Sequence, residues 1–186
     1  MAVYFIADTH FGHQNVLAFD NRKFKTIEEH DNTLIDNWNN AVGIDDEIFI
    51  LGDISWHNAT KTIEIVKSLN GVKHLIVGNH DKKLLKNREL QSLFVEITDY
   101  KELSLPDGKG IVLCHYPIPC FNHHYYGWYH LYGHVHATKE YSIVLKAQQD
   151  LIDGMGLPCN MYNVCCMLDY MNYTPRTLDE IILSHC

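Results

Sequence analysis

The sequence predicts an α/β fold in which two sheets are layered between helices, as a four-layer α/β/β/α sandwich. Short continuous apolar runs, which are typical of strands buried on both faces, alternate with amphipathic helical patterns in the first half of the chain. The second half is predicted to be mostly strand, so a parallel portion would be followed by an antiparallel portion. The length of 186 residues suits one hydrophobic core, and we predict a single domain over 1–186.

Four of the apolar runs end in residues that can bind a metal. The runs lie at 3–7, 48–51, 75–77 and 111–114, and a fifth element at 133–136 follows an aromatic segment. Ligands placed just beyond the carboxyl ends of parallel strands converge on one crevice, where open α/β sheets bind their ligands. The candidate metal ligands at these positions are Asp8, His10, Asp53, Asn79, His115, His134 and His136.

Capping residues mark the starts of the predicted helices. One capping box opens a helix over about 27–41, and a second, starting at Thr177, opens the C-terminal helix. Another helix is predicted after Asn58, and a short one around 82–90.

The remaining segments are predicted as strands, a turn and a loop. Strands are expected over 94–105 and 161–170, and the turn at 106–108 joins the strands on either side of it into a hairpin. The aromatic segment 117–132 is expected to be a loop beside the site.

Composition argues against several classes of protein. A formal net charge of -8 argues against a protein that coats nucleic acid non-specifically, because such binding needs a broad basic surface. No apolar run approaches the ~20 residues of a membrane-spanning helix, and the first residues lack the basic region of a signal peptide. The six cysteines are therefore predicted to be reduced thiols. We expect a cytoplasmic protein that does not associate with a membrane.

The number and type of candidate ligands favour a dinuclear metal centre. Mixed nitrogen and oxygen donors suit first-row metals and disfavour calcium. Seven ligands exceed the three that a catalytic zinc usually takes, but they suit two ions that share one carboxylate. Such pairs, ~3.5–4 Å apart, hold both the attacking and the leaving oxygen of a displacement. Their surplus positive charge would attract a phosphate and acidify a bridging water, which makes a bridging hydroxide the predicted nucleophile.

His80 is predicted to be the general acid for the leaving alkoxide. It lies between Asn79 and Asp81, and the Asp81 carboxylate is predicted to orient its ring. Each motif alone also suits a structural role, such as the exit of a strand into a turn. Their order and their shared position at strand ends favour the catalytic interpretation.

The motifs in this order resemble those of the calcineurin-like metallophosphoesterases. The resemblance covers about residues 3–136, and the segments 8–15, 21–24 and 173–180 are similar to a small bacterial and phage branch of uncharacterised phosphoesterases. It implies a four-layer sandwich of the metallo-dependent phosphatase type with two metals, and it matches His80 to the family's catalytic histidine. The implied first metal site is Asp8, His10, Asp53 and His136, and the implied second site is Asp53, Asn79, His115 and His134.

Two departures from related phosphoesterases stand out. Relatives that act on phosphoproteins have an arginine shortly after the Gly-Asp block, whereas this chain continues from Asp53 with Ile-Ser-Trp-His. The lack of an arginine to hold a dianionic monoester favours phosphodiesters as substrates. Where related small phosphoesterases have glycine near the end of the chain, this one has Cys165 and Cys166, for which simple packing is expected.

Five further residues are candidates for substrate contacts, with surface or packing roles as the alternative. The aromatic segment supplies side chains that would stack on a base, as in single-strand binding proteins, or would form a lid packed on its own scaffold. The candidates are His13, Arg22, His57, Tyr126 and Trp128.

Three functions are compatible with these patterns. The favoured one is a metal-dependent phosphodiesterase that uses Mn²⁺, or alternatively Fe, Zn, Co or Ni, with a nucleotide or a short nucleic-acid end as candidate substrate. The second is a phosphomonoesterase of small phosphorylated metabolites. The third is a non-catalytic metal-binding scaffold on the same fold, which the retention of His80 disfavours because such scaffolds typically lose this histidine.

Overall fold

The computed structural model describes residues 1–185, which form nine strands and six α-helices. The strands are β1 (Val3–Ile6), β2 (Glu47–Ile50), β3 (Val72–Ile76), β4 (Glu96–Thr98), β5 (Tyr100–Ser104), β6 (Gly110–Cys114), β7 (Tyr129–Tyr132), β8 (Asn160–Asn163) and β9 (Arg176–Thr177). The helices are α1 (Val16–Phe19), α2 (Ile27–Ala41), α3 (Ala59–Ser68), α4 (Arg88–Gln91), α5 (Lys139–Met155) and α6 (Leu178–Leu183), and 3₁₀ helices span Asp81–Lys86 and His124–Tyr126.

The first sheet is parallel except at one edge. Its strand order is β4-β3-β2-β1-β9, and only β9 runs antiparallel to its neighbour. Successive strands β1, β2 and β3 are joined through helices on the pattern of β-α-β units. The carboxyl ends of these three strands therefore meet at one edge of the sheet, as the sequence predicts.

The second sheet is mixed, with strand order β5-β6-β7-β8. Strands β5 and β6 form the predicted hairpin around the turn at 106–108, with Ser104 opposite Gly110. Strands β6, β7 and β8 are parallel, so within this sheet the antiparallel pairing is confined to the hairpin.

The faces of the second sheet are divided between two hydrophobic clusters. Ile111 and Leu113 of β6 lie in the large cluster that also contains Phe5 of the first sheet. Val112, between them in sequence, lies in a second cluster with Val144 of α5. Because side chains alternate between the faces of a strand, the second sheet packs on the first sheet with one face and on α5 with the other.

Helices α2 and α3 pack into the large cluster through Trp38 and Val66. Helix α2 begins where Thr26 accepts a hydrogen bond from the backbone N–H of Glu29, a cap that typically contributes ~1 kcal/mol. The Trp38 indole donates to the carbonyl of Asn70, just before β3. The α/β class is thus confirmed, while its assignment to the metallophosphatase type stays a prediction, as does the single domain.

Helix α5 contradicts the prediction that the second half is mostly strand. Thr138 caps its start by accepting from the N–H of Glu140, and Gly156 ends it in the left-handed conformation. Its inward residues include Val144 and Ile152, which are eight residues apart and so lie on one helical face, but the sequence analysis missed this period.

Three other segments also differ from the prediction. The strand expected over 161–170 stops at Asn163, whose side chain accepts from the N–H of Cys165 and donates to the carbonyl of His136, so that the chain turns. The segment 117–132 is a loop only in part, since it holds a 3₁₀ helix and β7. The helix expected around 82–90 is divided into a 3₁₀ helix and α4.

No helix within residues 1–185 has the length and apolar composition needed to cross a bilayer.

Candidate metal centre

The structure brings all seven candidate metal ligands together at the carboxyl ends of the strands. Asp8 and His10 follow β1, Asp53 follows β2 and Asn79 follows β3. From the second sheet, His115 follows β6, and the remaining two histidines follow β7. The site thus forms where both sheets present the same edge.

One group of donor atoms surrounds Asp8. The Oδ1 atom of Asp8 lies 3.1 Å from Nε2 of His136 and 3.6 Å from Nε2 of His10. The two imidazole Nε2 atoms are 3.2 Å apart, and Nε2 of His10 lies 3.9 Å from Oδ2 of Asp53. Asp8, His10 and His136 are all buried.

A second group adjoins the first and shares Asp53. The Oδ2 atom of Asp53 lies 3.7 Å from Nε2 of His115. The Oδ1 atom of Asn79 lies 3.0 Å from that same nitrogen and 3.0 Å from Nδ1 of His134. Asp53 thus contacts members of both groups, and Asp8 also lies close enough to Asp53 and His115 to form one candidate metal-binding set with them.

The donor spacing fits metal ions. Two ligands that each bind one ion at ~2.1 Å are about 3.0–3.5 Å apart, close to most distances within the two groups. The 3.2 Å contact between the Nε2 atoms of His10 and His136 suits an N–H···N hydrogen bond when one ring is protonated, and it suits two ligands of one cation when both nitrogens are unprotonated. The buried Asp and His groups could hold metal ions, and nitrogen-rich mixed donors suit first-row transition metals.

Backbone and carboxylate acceptors fix the tautomers of two histidines. Nδ1 of His115 donates to the carbonyl of Leu51 over 2.7 Å, which leaves Nε2 unprotonated and directed at the donors. Nδ1 of His136 donates to the carboxylate of Asp20 over 2.8 Å. Such partners orient metal-binding histidines and raise their basicity.

Asp20 is a residue of the site that the sequence analysis missed. Its carboxylate also accepts from Nε of Arg22 over 3.0 Å and from Nη2 over 2.9 Å. No motif marks Asp20, and its partner His136 lies 116 residues away in sequence. Only the folded chain reveals this contact.

The electrostatics of the cluster favour bound cations. Burial and the nearby Asp8 carboxylate raise the pKa of Asp53, because two buried negative charges repel each other. Burial lowers the pKa of His136, but hydrogen bonds to Asp20 and Asp8 outweigh it and raise this pKa to about 9. The Asp53 shift reports repulsion between carboxylates and the His136 shift reports a negative local potential, and a cation placed between these carboxylates would relieve the first and be attracted by the second.

Five of the candidate ligands have backbone conformations that are rare for residues other than glycine. Residues held there cost about 1–3 kcal/mol each and cluster at functional sites. The φ angles are 56° at Asp8, 49° at His10, 54° at Asp53, 70° at His134 and 48° at His136.

Two glycines allow the carboxylates to approach neighbouring backbone. A Cβ atom at Gly78 would lie 2.3 Å from Oδ1 of Asp53, and one at Gly133 would lie 2.3 Å from Oδ2 of Asp8. Both distances are far inside van der Waals contact. The Gly-Asn and Gly-His pairs of the motifs therefore have a packing reason.

His80 lies at the open side of the cluster. Its backbone N–H donates to Oδ1 of Asp53 over 2.9 Å, and its Nε2 lies 3.9 Å from Oδ2 of Asp53. The side chain is 46% exposed, and its ring packs on Trp56 with centroids 4.2 Å apart. Burial lowers the pKa of His80 from its ordinary value.

Asp81 has a different role from the predicted one. Its buried carboxylate accepts backbone N–H groups from Asp53 at 2.9 Å, Ile54 at 3.0 Å and Gly78 at 2.8 Å. These bonds tie together the loops after β2 and β3. Asp81 thus positions Asp53, and the ring of His80 is held by Trp56 instead of by Asp81.

Of the predicted substrate contacts, His13 lies beside the cluster. Its ring stacks on Trp56 at 4.0 Å between centroids and lies 5.4 Å from the ring of His10. It lines a cavity of about 350 Å³ that is also lined by members of both donor groups. His13 is thus within reach of a molecule bound there.

Arg22 and His57 are engaged with the protein itself. Arg22 is 4% exposed, and besides Asp20 it donates to the carbonyl of Asp8 over 3.0 Å. His57 directs Nε2 at Asp31 over 3.3 Å and lies outside the donor cluster, although it lines a neighbouring cavity. Arg22 therefore supports the site from behind and is not a substrate contact.

The structure does not bring Tyr126 and Trp128 to the cluster. The ring of Trp128 packs against Gly110, the first residue of β6, whereas His115 follows the last residue. Five strand residues at ~3.3 Å each separate these ends by about 16 Å. Tyr126 belongs to the same aromatic group through His123. The aromatic group of His123, Tyr126 and Trp128 is therefore separate from the site.

The two cysteines near the end of the chain contact Asp8. The Sγ atom of Cys165 donates to Oδ2 of Asp8 over 3.0 Å, and that of Cys166 donates to its carbonyl over 3.2 Å. Burial and the Asp8 carboxylate raise the pKa of the Cys165 thiol, so it stays a donor. The cysteines pack as expected and also hold a candidate ligand.

Comparison with known proteins shows similarity over the whole chain. No family model matches it. The uncharacterized protein MJ1445 of Methanocaldococcus jannaschii is 34% identical over 184 residues, covering 97% of this chain and 89% of that protein. The gene 66 protein of Mycobacterium phage L5 is 32% identical over 130 residues, covering 61% of this chain and 62% of that protein. The crystal structure of AQ665 from Aquifex aeolicus, a protein of unknown function, covers 98% of both chains with a TM-score of 0.72 and 27% identity.

Proposed function

We propose that this chain, which belongs to the same family as the uncharacterized protein MJ1445, is a metal-dependent phosphoester hydrolase of the calcineurin-like type. The observation that carries the proposal is the pair of adjoining donor groups, one buried and one partly buried, that share the Asp53 carboxylate. Acidic surface clusters are common, but convergent imidazoles with fixed tautomers at strand ends are a typical metal-centre arrangement. The four-layer metallophosphatase type of sandwich is part of the same proposal.

Each donor group would hold one divalent ion, with Mn²⁺ favoured. When bound, the ions would supply positive charge to the phosphoryl oxygens and would acidify a water molecule. The first ion would be held by Asp8, His10, Asp53 and His136, and the second by Asp53, Asn79, His115 and His134.

The chain's own side chains prepare the site and move a proton. Asp20 and the Leu51 carbonyl keep two imidazoles in the tautomer that leaves Nε2 free. His80 would hold a proton at Nε2 and deliver it to the leaving oxygen, and the ring of Trp56 keeps it aligned. An anionic phosphate bound beside His80 would favour the protonated ring.

The lining of the site favours a diester over a monoester. None of the described residues around the 350 Å³ cavity is a lysine or an arginine, and Glu140 lies on its wall. A dianionic monoester would therefore meet no fixed side-chain cation besides the histidines. A diester, with one negative charge, needs less compensation. A nucleotide or a short nucleic-acid end is the proposed substrate, and a cytoplasmic location stays a prediction.

The test compares initial rates on bis-p-nitrophenyl phosphate and p-nitrophenyl phosphate, each with Mn²⁺ and with a chelator. We expect chelator-sensitive hydrolysis that prefers the diester. A monoester preference would support the alternative phosphomonoesterase instead. No turnover of either ester by metal-loaded protein, or turnover that a chelator leaves unchanged, would contradict the proposal.

A further inference from the structure

A second cavity, of about 950 Å³, adjoins the candidate metal centre. It shares Trp56, Asn79 and His80 with the smaller cavity beside the donor groups, so the two cavities adjoin at these residues. Its volume is near the upper end of the ~300–1,000 Å³ of ligand pockets. A molecule that reacts at the metal centre would extend past His80 into this space.

The second cavity is lined by positive charge. Lys82, Lys83 and Lys86 line it from the exposed 3₁₀ helix at Asp81–Lys86. None of the three forms an ion pair with a carboxylate of residues 1–185, whereas Lys61 and Lys67 of α3 are both paired. These three lysines therefore have charge available for a ligand.

Negative charge is kept away from this cavity. No aspartate or glutamate of residues 1–185 lines it, although the whole chain has 23 acidic residues and only 15 lysines and arginines. In a chain with a net charge of -8, such a patch is a local exception that attracts anions. Across four residues of a 3₁₀ helix, at about 2.0 Å each, Lys82 and Lys86 are separated by about 8 Å, which is more than one phosphate spans.

We propose that this cavity binds the phosphates of a single-stranded oligonucleotide on the leaving-group side of the reacting phosphate. The inference rests on the proposed function, because His80, the proposed proton donor to the leaving oxygen, lies between the donor groups and the lysines. Trp56 is not assigned to base stacking, since His13 and His80 pack on its ring. Recognition is therefore through charge, and independent of base sequence.

The first test measures binding without turnover. Fluorescence anisotropy of a labelled octathymidylate with phosphorothioate linkages, which keep the charge and slow hydrolysis, is followed with Mn²⁺ at several salt concentrations. The variant Lys82→Ala/Lys83→Ala/Lys86→Ala is expected to bind at least tenfold more weakly. The slope of log K against log salt should fall by about 0.7 for each phosphate that a lysine no longer neutralises, or about 2 in all.

Matched variants separate the cavity from net charge. Lys101, Lys109 and Lys146 lie outside the cavity, so their triple alanine variant has the same charge change and should bind like the wild type. Replacing the three cavity lysines with arginine should restore binding. Equal losses in both alanine variants, unchanged binding in the cavity variant, or tighter binding of ATP than of the octathymidylate would overturn the inference.

A second test separates this inference from the proposed function. The ratio of kcat/KM for an unmodified octathymidylate to kcat/KM for bis-p-nitrophenyl phosphate should fall at least tenfold in the cavity variant. If the wild type cleaves the small diester but this ratio does not change, the oligonucleotide site is wrong and the hydrolase stands. If the wild type cleaves neither, the proposed function fails, while the anisotropy still tests the cavity.

Discussion

Replacing Asp20 with asparagine tests whether the contacts behind the candidate ligands tune metal binding. Both carboxylate oxygens of Asp20 lie within 2.9 Å of Nδ1 of His136, and Oδ2 also accepts from Arg22. Asparagine keeps one oxygen but places an N–H donor where the second oxygen accepts. It also removes the negative charge that raises the pKa of His136.

The expected loss follows from this geometry. Removing an outer carboxylate of this kind typically weakens metal affinity 10–100-fold, or about 1.4–2.7 kcal/mol. We expect a loss of metal affinity near the upper end of this range, because Asp20→Asn affects both His136 and the buried Arg22. The substitution also removes the carboxylate that pairs with the buried Arg22 guanidinium. Breaking a buried ion pair in this way should lower the free energy of unfolding by up to about 5 kcal/mol.

Isothermal titration with Mn²⁺ measures the affinity, and thermal unfolding measures the stability. Asp31→Asn is the matched control, because Asp31 also accepts from histidine rings, those of His30 and His57, but contacts none of the candidate ligands. It should keep wild-type Mn²⁺ affinity. Unchanged affinity in folded Asp20→Asn protein would refute the role given to this carboxylate.

Two further predictions concern individual histidines. His80→Ala should lose more rate on diesters with poor leaving groups than on those with good ones, since a proton donor matters least when the leaving group is already stable; equal losses across a leaving-group series would assign His80 to phosphate binding instead. His130, which has no hydrogen bond to a candidate ligand, is buried between the Val112 carbonyl and the Ile118 N–H, and burial lowers its pKa to about 4. The unfolded chain then binds a proton that the folded chain does not, so acidification from pH 6.5 to 4 should remove about 3 kcal/mol of stability through His130. Denaturant titrations across this range should show a shallower pH dependence in His130→Gln, and an identical dependence would contradict the assignment.

The convergence of the candidate ligands is predicted from the sequence better than the fold around them. The candidate ligands follow apolar runs directly, so strand ends and ligand positions come from the same local pattern, as Asp53 after β2 shows. Capping residues such as Thr26 and Thr177 likewise define helix starts within a few residues. These features depend on residues that are neighbours in sequence, so they can be predicted before the fold is known.

Features that depend on distant contacts were missed or misassigned. Asp81 stands next to His80 in sequence, but its carboxylate is directed at backbone N–H groups from two other loops. The sequence suggested that Trp128 belongs to a base-stacking surface beside the site. Its ring instead packs against Gly110, at the end of β6 that is remote from the candidate ligands. The cavity lysines carry no motif, and only the fold shows that no carboxylate faces them among residues 1–185.

The most direct test of the dinuclear site is metal stoichiometry, measured by equilibrium dialysis against Mn²⁺ followed by elemental analysis. Wild-type protein should bind two ions per chain. Asp53→Asn, which alters the carboxylate common to both donor groups, should bind fewer than one, while Asp107→Asn at the exposed turn should bind two. A wild type that binds no ion, or an Asp53→Asn variant that still binds two, would contradict the shared-carboxylate site.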